Sequence, residues 1–241
     1  MSGMRLQKFL SAAGLCSRRA GERHILAGRV RVNGSVITTL GTRVDPEQDQ
    51  VKFDGQPVVL ERELIYIILN KPSGYVCSCR QPGERLVTRL VDLPQRIFPV
   101  GRLDKDSTGL LLLTNDGRVH HRLSHPSFDH AKTYRVTVEH PISNQALSQL
   151  ARGIMLNGRP TRPARVKRLA KNRFQVVLQE GRNRQIRRIA GAVGAHVVGL
   201  HRIRIAHIRL GRLDTGRWRH LDHQEREKLQ ALLPAAHPVT G

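Results

Sequence analysis

"GRLDKDSTGLLLLTND", Gly101 to Asp116, is the stretch on which the reading of this chain turns. A turn, in which Asp104 follows Arg102 and Leu103, feeds the apolar run Leu110–Leu113, which reads as a buried strand. Asp104, Asp106 and Asp116 place acid in a chain that otherwise carries 41 Lys and Arg against 19 Asp and Glu. Asp and Gly are ordinary turn residues, which gives Asp104 a structural reading. A carboxylate kept ionised by a cationic neighbour is also a nucleophile or a base, which gives it a chemical one.

The formal charge of the 241 residues is +22, and the pI is about 11.5. Such an excess calls for a polyanionic partner, and nucleic acid fits better than an anionic membrane. No basic amphipathic helix with an aromatic face is visible, and no run of 18 apolar residues occurs. "MSGMRLQKFL" lacks the apolar core of a signal peptide, so a cytoplasmic location is expected. Cys16, Cys77 and Cys79 read as reduced thiols; the Cys77-Ser78-Cys79 spacing is not that of a zinc knuckle. His120, His121 and His125 read as surface or RNA-facing groups rather than metal ligands, and no metal site is expected.

The chain divides near residue 60. Leu6, Phe9, Leu10 and Ala13 fall at helical spacing, and Gly14 ends that helix. Ser17 is placed to cap a second helix from Arg18 to Ala27, closed by Gly28. Val30, Val32 and Val36 flank an Asn33-Gly34 turn, the mark of a hairpin. Arg18, Arg19, Arg23, Arg29 and Arg31 meet at this helix–hairpin junction with few acids beside them. They, with Arg5 and Lys8, are candidate RNA contacts; the plainer reading is a solvated charged face. Residues 60–63 form a short polar connector, 64–233 a second domain, and 234–241 a flexible tail. In that second domain "LIYIILNKPSGYVCS", "GLLLLTNDG", "KTYRVTVEH", "RFQVVLQEG" and "HVVGLHRIRIAHIRL" read as strands. Helices are expected over Pro141–Arg152, around Ile186, Ile189, Ala190 and Val193, and from an Asp222–Glu225 capping box through Leu233. Interspersed helices among more numerous strands predict an α+β fold with a mixed, mostly antiparallel sheet.

No Walker loop, G-x-G-x-x-G or G-x-S-x-G occurs, which removes local support for nucleotide hydrolysis, dinucleotide binding and serine hydrolysis. What remains is Asp104, Tyr134 within a strand, and the arginines Arg182, Arg184, Arg187 and Arg188 at the start of one helix. Since Ile186 and Ile189 set the buried face, one of these arginines is turned inward and needs an anion. Asp104 is the candidate, and an arginine within about 4–6 Å lowers an Asp pKa by about 1–3. On the residues alone, such a pair is structural or catalytic.

Two resemblances narrow this. "RLQKFLSAAGLCSRRAGERHILAGRVRVNGSVI" resembles the S4-type (alpha-L) RNA-binding domain, which implies that residues 4–59 bind structured RNA. "GRLDKDSTGLLLLTNDG", "KTYRV" and "EGRNRQIRRI", in that order and with "LNKPSGYVCS" before them, resemble the signature segments of the ribosomal RNA pseudouridine synthases of the RsuA and RluB type. The resemblance implies isomerisation of chosen uridines in ribosomal RNA or a pre-ribosomal particle, by a monomer without cofactor, and more on the 23S than the 16S side. It assigns the nucleophile to Asp104, an active-site tyrosine to Tyr134, the cation paired with the aspartate to Arg187, and a base-holding arginine to Arg102. Arg182 and Arg184 become further RNA contacts. The competing class is a non-catalytic RNA-binding or ribosome-assembly protein, which has no need of the Asp104–Tyr134–Arg187 set.

Overall fold

The computed structural model describes residues 3–61, 63–124 and 130–233. His125 and the 234–241 tail lie outside the described residues. Backbone proximity groups these residues into two units. The first extends to Ile65 and takes in Leu93–Ile97 and Asn115–Gly117, two segments that the sequence division places in the second domain. The reason is side-chain bonding to the connector. The Asn115 amide accepts from Ile65 N–H and donates to the Glu63 carbonyl, both at 2.8 Å, and Gln95 donates to the Glu63 carboxylate at 3.0 Å.

In this first unit β1 (Met4–Arg5) leads into α1 (Leu6–Ala12), and Gly14 leaves that helix at φ +76°. The Ser17 hydroxyl accepts from Ala20 N–H at 3.3 Å and starts α2 (Arg18–Leu26), satisfying one of the donors a helix start leaves open. Asn33 and Gly34, at φ +49° and +86°, close the hairpin of β2 (Val30–Val32) and β3 (Ser35–Ile37). β4 (Arg43–Val44) pairs with β1, and β5 (Val51–Phe53) and β6 (Gln56–Pro57) extend the hairpin into a sheet of order β3-β2-β5-β6. Leu6, Phe9, Leu10, Ile25, Val30, Val44 and Val51 form its core.

The second unit is organised by a strand with no wet face: all six residues of β7 (Tyr66–Lys71) are buried. It lies against β9 (Thr108–Thr114), whose run of leucines is buried too, and β8 (Phe98–Val100) also pairs with β9. After α3 (Gly117–Ser124) come β10 (Lys132–Val138), α4 (Asn144–Arg152), the small hairpin β11 (Met155–Leu156) and β12 (Arg159–Pro160), then β13 (Arg165–Ala170) and β14 (Arg173–Leu178). α5 (Gln185–Ala192), β15 (Val197–Ile205), β16 (Ile208–Arg209), β17 (Trp218–His220) and α6 (His223–Ala231) complete it. The sheet runs β13-β14-β10-β15-β9-β7-β17, with β16 on β15. Among these pairings only β15 with β9 is parallel, so the sheet is mixed and mostly antiparallel. α4 and α5 cover one face, packing Leu147, Leu150, Ile186 and Ile189 on Val136, Phe174 and Val176.

Helix boundaries follow the caps. α4 begins at Asn144 rather than Pro141 because the Ser143 hydroxyl accepts from Ala146 N–H at 3.0 Å. The Asp222–Glu225 capping box is present, and α6 ends at Ala231. α3, the β11–β12 hairpin and β17 are additions to what the sequence suggested. The hairpin carries its own signal in Asn157-Gly158, at φ +53° and +70°.

The parallel seam has a steric condition. Arg202 of β15 lies opposite Gly109 of β9. Gly109 has φ +99°, and a Cβ there would stand 2.3 Å from the Arg202 carbonyl oxygen and 2.7 Å from its nitrogen. Backbone occupies the space a side chain would need. Gly109→Ala is therefore expected to lower stability by about 3 kcal/mol or more, from overpacking and a disfavoured φ together. Urea unfolding followed by circular dichroism checks this; a midpoint equal to wild type would mean the seam yields without cost.

Candidate active site

Asp104 sits on a turn that other parts of the second unit hold by its backbone. Within it, Ser107 N–H donates to the Asp104 carbonyl at 3.1 Å. Leu103 N–H donates to Cys77 Sγ at 3.3 Å, and Gly74 N–H to the Lys105 carbonyl at 2.8 Å. Lys71, at the end of β7 and fully buried, directs Nζ at the carbonyls of Pro72, Lys105 and Ser107 at 3.0, 3.2 and 2.7 Å. Three acceptors meet the three donors of an ammonium. Burial pushes the Lys71 pKa down from the usual lysine value, against the pull of Cys77, Asp106 and Asp104.

Arg202 fixes the other side of the turn. It is 2% exposed, its Nε donates to the Leu110 carbonyl at 2.7 Å, and its Nη1 to the Arg102 carbonyl at 3.3 Å. Its guanidinium lies 6.0 Å from the centre of the Tyr134 ring, carried by the facing residue of β10. Tyr134, half-buried, rests on the core beneath α4 and α5. Arg202 thus bridges the turn that carries Asp104 and the strand that carries Tyr134. Neither Lys71 nor Arg202 stood out in the sequence. "LNKP" holds a lysine at the end of an apolar strand, which was the available signal for Lys71.

The arginine cluster is partitioned. Arg184 caps α5 in the left-handed region, φ +49° and ψ +31°, an uncommon conformation for an arginine. Its Nη1 stands 3.5 Å from Asp104 Oδ2 and 3.8 Å from Asp106 Oδ1. Arg187 is the inward-turned arginine, its side chain 13% exposed, but its Nη2 pairs with Asp106 at 2.8 Å and its Nη1 donates to the Val197 carbonyl at 2.9 Å. The expected Arg187–Asp104 pair is thus replaced by Arg187–Asp106 with Arg184 beside Asp104. Helical periodicity called for one inward-turned arginine and the family resemblance named Arg187, yet neither distinguished carboxylates two residues apart on one turn.

The remaining candidates separate by their partners. Arg182 is bound to Glu180 at 3.2 Å and to the Arg159 and Pro160 carbonyls, so it builds the approach to α5. Arg29 is committed to Asp54, with Nε to Oδ1 at 2.9 Å, and lies 4.5 Å over the Phe53 ring. Arg31 donates to the Gly34 carbonyl at 3.1 Å. Arg5, Lys8, Arg18, Arg19 and Arg23 are exposed and make no ion pair among the described residues. The Arg102 side chain is exposed beside the turn. Cys16, Cys77 and Cys79 form no disulfide. Among the described residues no group of three or more His, Cys, Asp or Glu side chains is placed to hold a metal ion, and no helix is long and apolar enough to cross a membrane.

A carboxylate one-third exposed on a rigid turn, a cation beside it and an aromatic ring near by suit attack on a planar substrate that enters from solvent. The family model described as RNA pseudouridylate synthase matches residues 65–192, and that of the S4 domain matches residues 4–51. The chain is 42% identical to an uncharacterized RNA pseudouridine synthase of Aquifex aeolicus, over 95% of this chain and 94% of that one. It is 41% identical to ribosomal large subunit pseudouridine synthase B of Bacillus subtilis, covering 95% and 96%. Against the dual-specificity RNA pseudouridine synthase RluF of Escherichia coli the identity is 40%, covering 93% and 77%. A crystal structure of a pseudouridylate synthase, 34% identical, superposes with a TM-score of 0.70 over 94% of this chain and 99% of that one. The stretch matched by the first family model contains the Asp104 turn, Tyr134 and the arginine helix, and with it the chain belongs to the RNA pseudouridylate synthase family, preceded by an S4 domain.

Proposed function

We propose that the protein converts uridine in ribosomal RNA to pseudouridine with Asp104 as the nucleophile, and that its target lies in the 23S rather than the 16S molecule. The observation that carries the chemistry is the placement of Asp104: partly open to solvent, next to Arg184, on a turn locked by Lys71 and Arg202. The ribosomal target draws support from the Bacillus subtilis relative, whose name specifies the large subunit.

A uridine within folded RNA is out of reach until it leaves the stack, at a cost of about a few kcal/mol. Cationic side chains on the protein offset that cost by binding phosphates. Asp104 then attacks the nucleoside, and the bond between the sugar C1′ and uracil N1 breaks. The uracil turns in place, its C5 bonds to C1′, and the proton on C5 departs as Asp104 is released. Every atom but that exchanged proton is retained, so substrate and product are isomers. Tyr134 lies against the uracil and takes or relays the C5 proton. Arg184 stands beside the attacking Asp104 carboxylate, 3.5 Å away.

Asp104→Asn removes the nucleophile with almost no change of shape. Release of tritium from rRNA labelled at uracil C5 is expected to fall below detection, with RNA affinity within about twofold of wild type. Release at the wild-type rate would make Asp104 a structural turn residue. Tyr134→Phe is expected to bind RNA normally and to stall after the glycosidic bond breaks.

RNA binding is expected to weaken steeply with salt. In the first unit Arg18 and Arg19 carry exposed charge without an ion-pair partner. If each meets a phosphate, Arg18→Ala with Arg19→Ala lowers the slope of log K against log salt by about 1.4–1.8. A slope unchanged from wild type would mean that this face is solvated only.

A further inference from the structure

We infer that Asp106 is a positioning residue for the nucleophile: by holding Arg187 and sharing Arg184, it sets how much positive charge falls on Asp104. The inference rests on the reading of Asp104 proposed above. Arg187 is the fixed point. Its side chain is 13% exposed, Nη1 is tied to the Val197 carbonyl, and Nε is buried without a hydrogen-bond partner. A guanidinium so enclosed needs a counter-charge. The carboxylate it touches, among the described residues, is Asp106 at 2.8 Å, the length of a charge-assisted hydrogen bond.

Arg184 is placed differently. At 3.5 Å from Asp104 and 3.8 Å from Asp106 it straddles the two acids and closes on neither. The other cations around the turn are bound elsewhere. Lys71 and Arg202 donate to backbone carbonyls, and Lys105 pairs with Glu84 at 2.7 Å. Arg102, exposed, lies before the nucleophile. Two carboxylates on one turn therefore divide the two guanidinia of α5, and Asp106 takes the larger share.

The division matters because a nucleophile must have electrons to give, and a carboxylate clamped by two guanidinia is a poor donor of them. Asp106 engages Arg187 and shares Arg184, so that less positive charge falls on Asp104. Its neutral isostere should do the opposite. With Asn at 106, Arg184 and Arg187 lose that carboxylate, more of their charge falls on Asp104, and Asp104 attacks more slowly.

Single-turnover tritium release, followed against enzyme concentration, tests this in Asp106→Asn, Asp106→Glu and Asp104→Asn. For Asp106→Asn the plateau rate at saturating enzyme is expected to fall about tenfold, which corresponds to about 1.4 kcal/mol in the barrier. The enzyme concentration that gives half the plateau should stay within about twofold of wild type, so that the loss lies in the chemical step and not in RNA binding. Asp106→Glu, which keeps the charge, should recover most of the rate. A plateau rate unchanged in Asp106→Asn, or one that Asp106→Glu lowers equally, overturns the inference. Activity in Asp104→Asn would instead remove the nucleophile reading, and this inference with it.

Discussion

The site depends on one close approach, the contact of β9 with β15 at Gly109 and Arg202. Neighbouring strands pair with evenly spaced hydrogen bonds only if nothing intervenes, and at Gly109 even a methyl group would meet the Arg202 backbone. That absence of a side chain lets a β15 residue bring its guanidinium under the turn that precedes β9. From there Arg202 reaches the carbonyls of Arg102 and Leu110, on either side of Asp104 in sequence, while its other edge faces Tyr134. The strand pairing and the geometry of the site are consequences of the same contact.

Two buried cations, Lys71 and Arg202, have carbonyl oxygens rather than carboxylates as hydrogen-bond partners. A buried charge must be compensated, and an acid would be the usual means. Backbone dipoles serve here, and this leaves the acids of the turn free of them. Asp104 and Asp106 stay partly exposed, where a substrate can reach them. Had either cation been matched by Asp104, the carboxylate would have been drawn into the core and lost to chemistry. Holding a turn through its carbonyls fixes the backbone without consuming the carboxylates it carries.

What could be read from the sequence was whatever is settled locally. Ser17 caps within three residues, Asn33-Gly34 turns within two, and the Asp222–Glu225 box closes on itself. α3 escaped because its apolar side chains are few, Val119 and Leu123 being the buried ones. The partners of Lys71 and Arg202 lie 36, 92 and 100 residues away in the chain, and no period or propensity reports such a distance. Spacing along α5 showed only that one arginine of the cluster must turn inward, and the family resemblance supplied Asp104 and Arg187 by number. Which carboxylate that arginine meets is decided by the path of the turn, and the turn is shaped by those remote partners.

The net charge of +22 is likewise not a uniform coat. Arg29 is bonded to Asp54, whose carboxyl it holds below the usual carboxylate range, and Arg182 is consumed by Glu180 and two carbonyls. Lys71 and Arg202 are inside, and Arg184 and Arg187 are engaged by the acids of the turn. Each of these cations already has an internal partner. A phosphate contact requires a cation that is exposed and not already paired, since breaking an existing pair returns much of the gain. In the first unit, among the described residues, Arg5, Lys8, Arg18, Arg19 and Arg23, on β1 and the two helices, and Lys52 of β5 meet that condition, ahead of the hairpin arginines Arg29 and Arg31, whose hydrogen bonds are already made. In the second unit Arg184 and Arg187 are instead engaged by the acids of one turn. The same residue type therefore supports two functions, and what separates them is whether an internal acceptor lies within reach.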